Sequence, residues 1–293
     1  MEVIRAKVLG FCMGVRRAVE LAASEAEQSA ARGSLVYSIG PLIHNPRVLS
    51  DLKNRGVKTL DKPPQNIEGS SFIIRTHGIS PGLEKDLRGR GCRIIDATCP
   101  KVKASQLKAE ELSRAGYCLF LAGEAKHAEI AGIIGYAQEG FAGQSSFCVV
   151  AGSAADAERE AAKLYETNKN AKTALLGQTT ISSEEYLSIG EAVKKYFPDL
   201  EIVQTICTAA TERQQALREL LDQVDAVIIA GGKESANTRR LLAIAQESGK
   251  PSVLVENAPE IPSTFRFYDT VGLCAGASAP DSVIEEIELE LLR

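Results

Sequence analysis

The sequence predicts an α/β protein of three similar small units with mainly parallel sheets, and three recurring patterns predict it. First, an apolar run of strand character precedes each of Cys12, Cys99 and Cys207 in KVLGFCMGV (7–15), DATCPKV (96–102) and LEIVQTICTAA (200–210), and a helix-compatible stretch follows each. Second, LVYSIG (35–40), CLFLAG (118–123) and AVIIAG (226–231) each end a short apolar strand on glycine and lead through a loop into a helical run. His44, His127 and Ser235 each stand four residues past that glycine. Third, SFIIRTHGIS (71–80), TALLGQTTIS (173–182) and TVGLCAGASA (270–279) each read as strand, polar turn and helix start. Chance is the alternative, since short strands ending in glycine are common in α/β proteins. Agreement of three patterns in the same order argues against it.

In chain order, the stretch after Cys12 puts Val15, Val19 and Ala22 or Ala23 on one helical face from Gly14 to Gln28. Strand 35–40 follows, then the loop with His44 and a helical run closing at Gly56. VKTL, FCVV and PSVLV add a further strand to each third, and a helical insert at Ala154 to Tyr165 lengthens the middle one. Helix starts are signalled by Ser80 before Pro81, by Ser182 with Glu185 as a capping box, and by Pro280 after Ala279. The units are expected at 12–98, 99–206 and 207–293, with the N-terminal strand 1–11 a candidate to pair in the third. Right-handed crossovers put the turn residues of a unit on one sheet edge, at the strand ends where open α/β sheets bind ligands.

The chain has 293 residues, 44% apolar and 25% charged, which describes an ordinary globular protein large enough for two or three such units. No run approaches the length that crosses a bilayer, and the N-terminus lacks a secretory pattern, so a cytoplasmic protein without a membrane partner is expected. Seven cysteines, an odd number scattered along the chain, argue for a reducing compartment rather than a disulfide framework. The net charge of -4 argues against nucleic acid as a partner.

Cys12, Cys99 and Cys207 are too far apart in sequence for a local zinc knuckle and can meet only through tertiary structure. Three thiols without a fourth ligand suit an iron–sulfur cluster with one iron left open to substrate. The other reading, small buried apolar residues, is adopted for Cys92, Cys118, Cys148 and Cys274, which lie within or beside strands. All three histidines, His44, His77 and His127, fall in turns of the repeated unit. In the third pattern His77, Thr179 and Ala277 correspond, followed by Gly78, Thr180 and Ser278. With Ser235, Asn237 and Ser278 the histidines form a donor set suited to phosphate oxygens. No Walker glycine–lysine motif is present, which disfavours nucleotide hydrolysis. Glu129, two residues after His127, reads equally as a helix first-turn acid and as a carboxyl aimed at the same centre.

GFCMGVRRA, HNPRV, THGIS, DATCPKV, GEAKHAEIAGIIGY, GQTTIS, the Cys207 segment ending in TERQ, ESANTRRL and AGASAP run the length of the chain. In that order they resemble the 4-hydroxy-3-methylbut-2-enyl diphosphate reductase family of the non-mevalonate isoprenoid pathway. The resemblance implies a pseudo-threefold trefoil of three α/β units around a 4Fe–4S cluster on Cys12, Cys99 and Cys207. It implies that His44, His77, His127, Ser235, Asn237 and Ser278 hold the diphosphate of an allylic substrate, that Glu129 delivers protons, and that Gln178 and Thr179 lie beside the substrate. It also implies isopentenyl and dimethylallyl diphosphates as products and an electron donor such as ferredoxin or flavodoxin. One departure stands out: Ser235 is followed by Ala236 where the family usually has a second serine, which removes one hydroxyl contact. Rival readings are a non-catalytic iron–sulfur sensor of a phosphorylated ligand and a zinc-dependent hydrolase with Cys and His ligands. Thiolate-to-iron absorption separates the second, and turnover with a chemical reductant the first.

Overall fold

The structure, a computed structural model, describes residues 1–141 and 147–293. Its strands are β1 (Glu2–Arg5), β2 (Val36–Ile39), β3 (Val57–Leu60), β4 (Ser71–Ile74), β5 (Arg93–Asp96), β6 (Cys118–Ala122), β7 (Cys148–Ala151), β8 (Thr173–Gly177), β9 (Glu201–Ile202), β10 (Ala226–Ala230), β11 (Ser252–Val255) and β12 (Thr270–Ala275). Its helices are α1 (Met13–Arg32), α2 (Pro46–Asn54), α3 (Pro81–Gly89), α4 (Pro100–Arg114), α5 (Ala128–Phe141), α6 (Ala154–Thr167), α7 (Ser183–Lys194), α8 (Thr208–Leu221), α9 (Ala236–Glu247) and α10 (Asp281–Leu291). The strands form three four-stranded sheets, ordered β3-β2-β4-β5, β7-β6-β8-β9 and β11-β10-β12-β1. Every pair whose register is described is parallel.

The three orders are one order repeated. The edge strand beyond the third pattern is β5, β9 or β1, and each leads to a cysteine: β5 to Cys99, β9 to Cys207 and β1 to Cys12. In the last sheet that place falls to the N-terminal strand, paired from Glu2 opposite Thr270 to Arg5 opposite Leu273. By packing, the chain divides into two compact units, Met1–Asp61 with Thr208–Arg293, and Lys62–Cys207.

In the unit Lys62–Cys207 the central strand β8 is buried throughout and β6 from Leu119 on, as near-continuous apolar runs covered on both faces should be. Alternation assigns their side chains. Phe120 and Leu175 pack with Ala157, Ala161 and Leu164 of α6 and with Tyr186, Ile189 and Val193 of α7. Leu119, Leu121, Ala174 and Leu176 pack with Ala109 and Leu112 of α4 and with Ile130 and Ile133 of α5. The helix that follows Cys99 and the helix that carries Glu129 therefore share one face of the sheet. The expected capping box is present: Ser182 Oγ accepts from Glu185 N–H, and Glu185 reaches back to Ser182 N–H.

The unit of Met1–Asp61 and Thr208–Arg293 follows the same logic. Ile228, Val271 and Leu273 face Val283, Ile284 and Ile287 of α10. Val227 and Ile229 face Leu217 and Leu220 of α8 and Leu241 and Ile244 of α9. Helix α1 runs on to Arg32 and stops where Gly33 turns left-handed at φ 65°. Among the described residues no helix is long and apolar enough to cross a membrane.

The structure corrects the expectation that each cysteine ends a strand. The first strand is Glu2–Arg5, and the apolar run before Cys12 has left the sheet. Gly10, at φ 79°, cannot continue a strand, while Val8 and Leu9 serve as packing residues for the two cores. Before Cys207 only Glu201–Ile202 is strand, because Thr205 Oγ1 takes the Gly177 N–H at 2.7 Å. The cysteines sit instead at helix starts: Cys12 and Cys99 are the N-cap residues of α1 and α4, and Cys207 precedes α8.

Gly232, just after β10, allows a close approach. A Cβ there would stand 2.1 Å from the His44 carbonyl oxygen. Gly232→Ala is expected to push the His44 turn away and to destabilise the protein by about 1–3 kcal/mol, as overpacking generally does, measured as a lowered denaturation midpoint.

Candidate active site

In the unit Lys62–Cys207, two of the three cysteines and most of the other singled-out residues are joined by a run of short contacts. Cys99 N–H donates to Thr76 O at 2.9 Å, which ties the Cys99 turn to the turn of His77. The His77 and His127 rings meet edge to face, with centroids 5.1 Å apart and planes at 87°. Glu129 N–H donates to His127 Nδ1 at 3.3 Å, so when the imidazole is neutral it carries its proton on Nε2. The Glu129 carboxyl accepts from Thr179 twice, from N–H at 2.7 Å and from Oγ1–H at 2.9 Å. Cys207 N–H donates to Thr179 O at 2.9 Å and completes the run.

Glu129 stands in the first turn of α5, yet its carboxyl bonds the turn after β8 and not its own helix end. It is 1% exposed. Burial pushes its pKa up from 4.5 to about 7, against the two Thr179 hydrogen bonds that favour the carboxylate. The balance leaves a carboxylic acid that can hold or release a proton at neutral pH, which a solvated first-turn acid cannot do. Gln178 is committed within its own turn: Oε1 accepts from Glu124 N–H at 3.1 Å and Nε2 donates to Thr180 Oγ1 at 2.7 Å.

In the other unit His44, Ser235, Asn237 and Ser278 gather. Ser278 Oγ donates to His44 O at 3.3 Å, and Gly232 brings the chain before α9 against the same carbonyl. Ser235 caps α9 by accepting Thr238 N–H at 3.4 Å, which leaves its O–H to donate. Asn237 is buried, and its Nδ2 has no hydrogen-bond acceptor. Donors without acceptors at a helix N-terminus form a cradle for an anion. Ala236 lies in the first turn of α9, among backbone N–H groups that have no intrahelical acceptor.

All seven cysteines are thiols. Burial raises the Cys118 thiol, and it pushes Cys148 and Cys274 up to about 12, where they are poor ligands. Cys12 and Cys99 hold N-cap positions without using their side chains to cap. Among the described residues no three of His, Cys, Asp or Glu converge on a single-ion site. Three soft sulfur donors at helix starts and no fourth are the donor set of a thiolate-held cluster, so the residues fit that group.

Sequence reading missed two buried polar side chains near this machinery, Gln106 and Arg213. Gln106 is buried in α4 with Val102, Ala109 and Leu112, and its Nε2 donates to His77 O at 3.4 Å. Arg213 is buried in α8 with Ala210, Ala216 and Leu217. Each is a polar residue on the apolar stripe of a helix, which is the pattern that could have revealed it.

A profile of the LytB protein family matches residues 3–292. A Treponema denticola protein named 4-hydroxy-3-methylbut-2-enyl diphosphate reductase is 41% identical over 299 residues, covering 100% of this chain and 99% of its own length. An Aquifex aeolicus protein of the same name is 37% identical over 289 residues, with coverages of 98% and 95%. A solved (E)-4-hydroxy-3-methyl-but-2-enyl diphosphate reductase, described as the terminal enzyme of the non-mevalonate pathway, matches with a TM-score of 0.75 at 36% identity, covering 100% of this chain and 99% of that one. A reductase structure from Plasmodium falciparum reaches a TM-score of 0.88 at 24% identity, covering 100% and 88%, a likeness of fold alone. With its family motifs in order, its sheets repeated in one strand order and relatives aligned end to end, the chain belongs to the LytB protein family.

Proposed function

We propose that this protein is an oxidoreductase that converts 4-hydroxy-3-methylbut-2-enyl diphosphate into isopentenyl and dimethylallyl diphosphates. The observation that carries the reading is the buried Glu129 carboxyl, poised near neutrality and linked through Thr179 to Cys207 and through its own amide to His127. The family gives the substrate, since relatives named for this reductase align over the whole chain. Overall the substrate takes up two electrons and two protons, its allylic C–O bond breaks, the oxygen leaves as water, and the allyl fragment is protonated at one end or the other. Cys12, Cys99 and Cys207 would hold a 4Fe–4S cluster, which would pass on the donor's electrons and provide a Lewis-acidic iron. Ferredoxin or flavodoxin is the proposed donor, the compartment is the cytoplasm, and 12–98, 99–206 and 207–293 are the proposed units.

The chain's own residues do the rest. His127 Nε2–H, His77, His44 and the donors of Ser235, Asn237 and Ser278 bind and orient the diphosphate, each N–H or O–H to a charged oxygen contributing about 1.5–3 kcal/mol. Thr179, with Gln178 beside it, fixes the Glu129 carboxyl in one orientation through two hydrogen bonds. Glu129 then holds the proton that makes water, rather than hydroxide, the leaving group.

Three measurements test this reading. Glu129→Gln keeps shape and loses the transferable proton, so kcat is expected to fall about 10²- to 10⁴-fold with cluster content intact. The wild-type rate should decline as pH rises through about 7, and the variant should lack that limb. The sign for stability is the same. The folded pKa is raised from 4.5, so the contribution is full below pH 4.5 and is lost as pH rises through about 7, about 3 kcal/mol in all. Near-normal turnover in Glu129→Gln would return the residue to a structural role.

Iron and sulfide analysis is the second measurement. Cys12→Ser, Cys99→Ser and Cys207→Ser should each lose the cluster while Cys118→Ser and Cys148→Ser keep it, and full content in any of the first three contradicts the ligand set. Third, His44→Ala and His77→Ala should chiefly raise KM. A fall in kcat with KM unmoved would take the diphosphate away from them.

A further inference from the structure

We propose that Arg213 is a positioning residue for the cluster, tying the turn before Cys12 to α8; this rests on the reading that Cys12 is a ligand. Arg213 lies in α8 and is 3% exposed. Its Nη2 donates to Gly10 O at 2.8 Å and its Nη1 to Ala209 O at 2.8 Å. Gly10 is two residues before Cys12, whereas Ala209 lies in the first turn of α8 itself, four residues before Arg213. A guanidinium is a rigid planar fork, so one group anchored on its own helix fixes the Gly10 carbonyl and, through it, the turn that presents Cys12.

The loop is built to be held there. Gly10 has a left-handed φ of 79°, and a Cβ on it would meet Asp281 Oδ1 at 2.9 Å and Ile284 Cδ1 at 3.2 Å, so the chain is already pressed against α10. Cys12 N–H is anchored by Ala277 O at 3.3 Å. Arg213 supplies the remaining hold.

The charge is as informative as the fork. Both acceptors are neutral carbonyls, and Nε has no acceptor. A tie between two carbonyls needs only neutral donors, and burying a cation without a carboxylate is costly. A buried positive charge becomes favourable beside an anionic body. Two residues of chain span at most about 7 Å, so Gly10 lies within about one Debye length of Cys12, where a buried charge is little screened. Arg213 thereby fixes the turn and favours the reduced, more negative state of the cluster.

The test compares anaerobically reconstituted wild-type protein, Arg213→Gln, Arg213→Lys and Cys12→Ser by iron and sulfide content, iron release to a chelator and midpoint potential. Arg213→Gln should release iron on the order of 10- to 100-fold faster, the usual cost of losing a group that orients a metal ligand from behind, and its potential should become more negative. Arg213→Lys keeps the charge without the fork, so it should hold the wild-type potential and still release iron faster. Wild-type release and potential in Arg213→Gln, whatever its melting temperature, overturn the proposal. If Arg213→Gln does not fold, release from Arg213→Lys at the wild-type rate does the same. Wild-type protein that takes up no iron and sulfide, or Cys12→Ser that keeps them, would overturn the cluster reading and this inference together. Loss in Cys12→Ser with an unaltered Arg213→Gln overturns the inference alone.

Discussion

The parallel pairing of β1 with β12 is the constraint on which the arrangement depends. It joins residues at opposite ends of the chain, from Glu2 and Thr270 to Arg5 and Leu273, and so fills in the last sheet the edge position that β5 and β9 fill in the others. The entropy of closing so long a loop grows only logarithmically with its length, so a four-residue ladder with the packing of Val3 against the β12 core suffices to hold it. Cys12 follows from that pairing. Without it the turn of Cys12 would be held to its unit chiefly by the Arg213–Gly10 and Cys12–Ala277 hydrogen bonds.

Burial acts in the same direction on the two kinds of acid in this protein. It raises Glu129 to about 7, so that the carboxyl can hold or release a proton at neutral pH, although two Thr179 bonds pull the other way. The same desolvation pushes Cys148 and Cys274 to about 12 and keeps those thiols protonated and inert. The cysteines at helix starts stand apart from those two in place, since Cys12 and Cys99 are N-cap residues and Cys207 precedes α8.

A buried arginine fits the same picture. Arg213 carries its charge into the interior to hold the carbonyls of Gly10 and Ala209, and Gln106 does a neutral version of the task for the His77 turn. Both lie on the buried, mainly apolar faces of their helices, and although Arg213 falls within TERQ, nothing in its spacing advertises chemistry. The substrate-side residues are legible from their turns, whereas the residues behind them show only as breaks in hydrophobic periodicity.

What the sequence alone determined is local: glycine-ended strands, capped helix starts at Ser80 and Ser182, three cysteines that each open a helix, and histidines confined to turns. Each of these is set by residues within a turn or a strand of one another, so period and capping chemistry suffice to read it. Tertiary structure decided where the strand before Cys207 ends, because the Thr205 hydroxyl takes the Gly177 N–H there. It also decided the surroundings of Glu129. The first-turn position is written in the sequence, but the proton affinity of that carboxyl depends on the removal of water and on a partner fifty residues away in the turn after β8, and neither is a property of neighbouring residues.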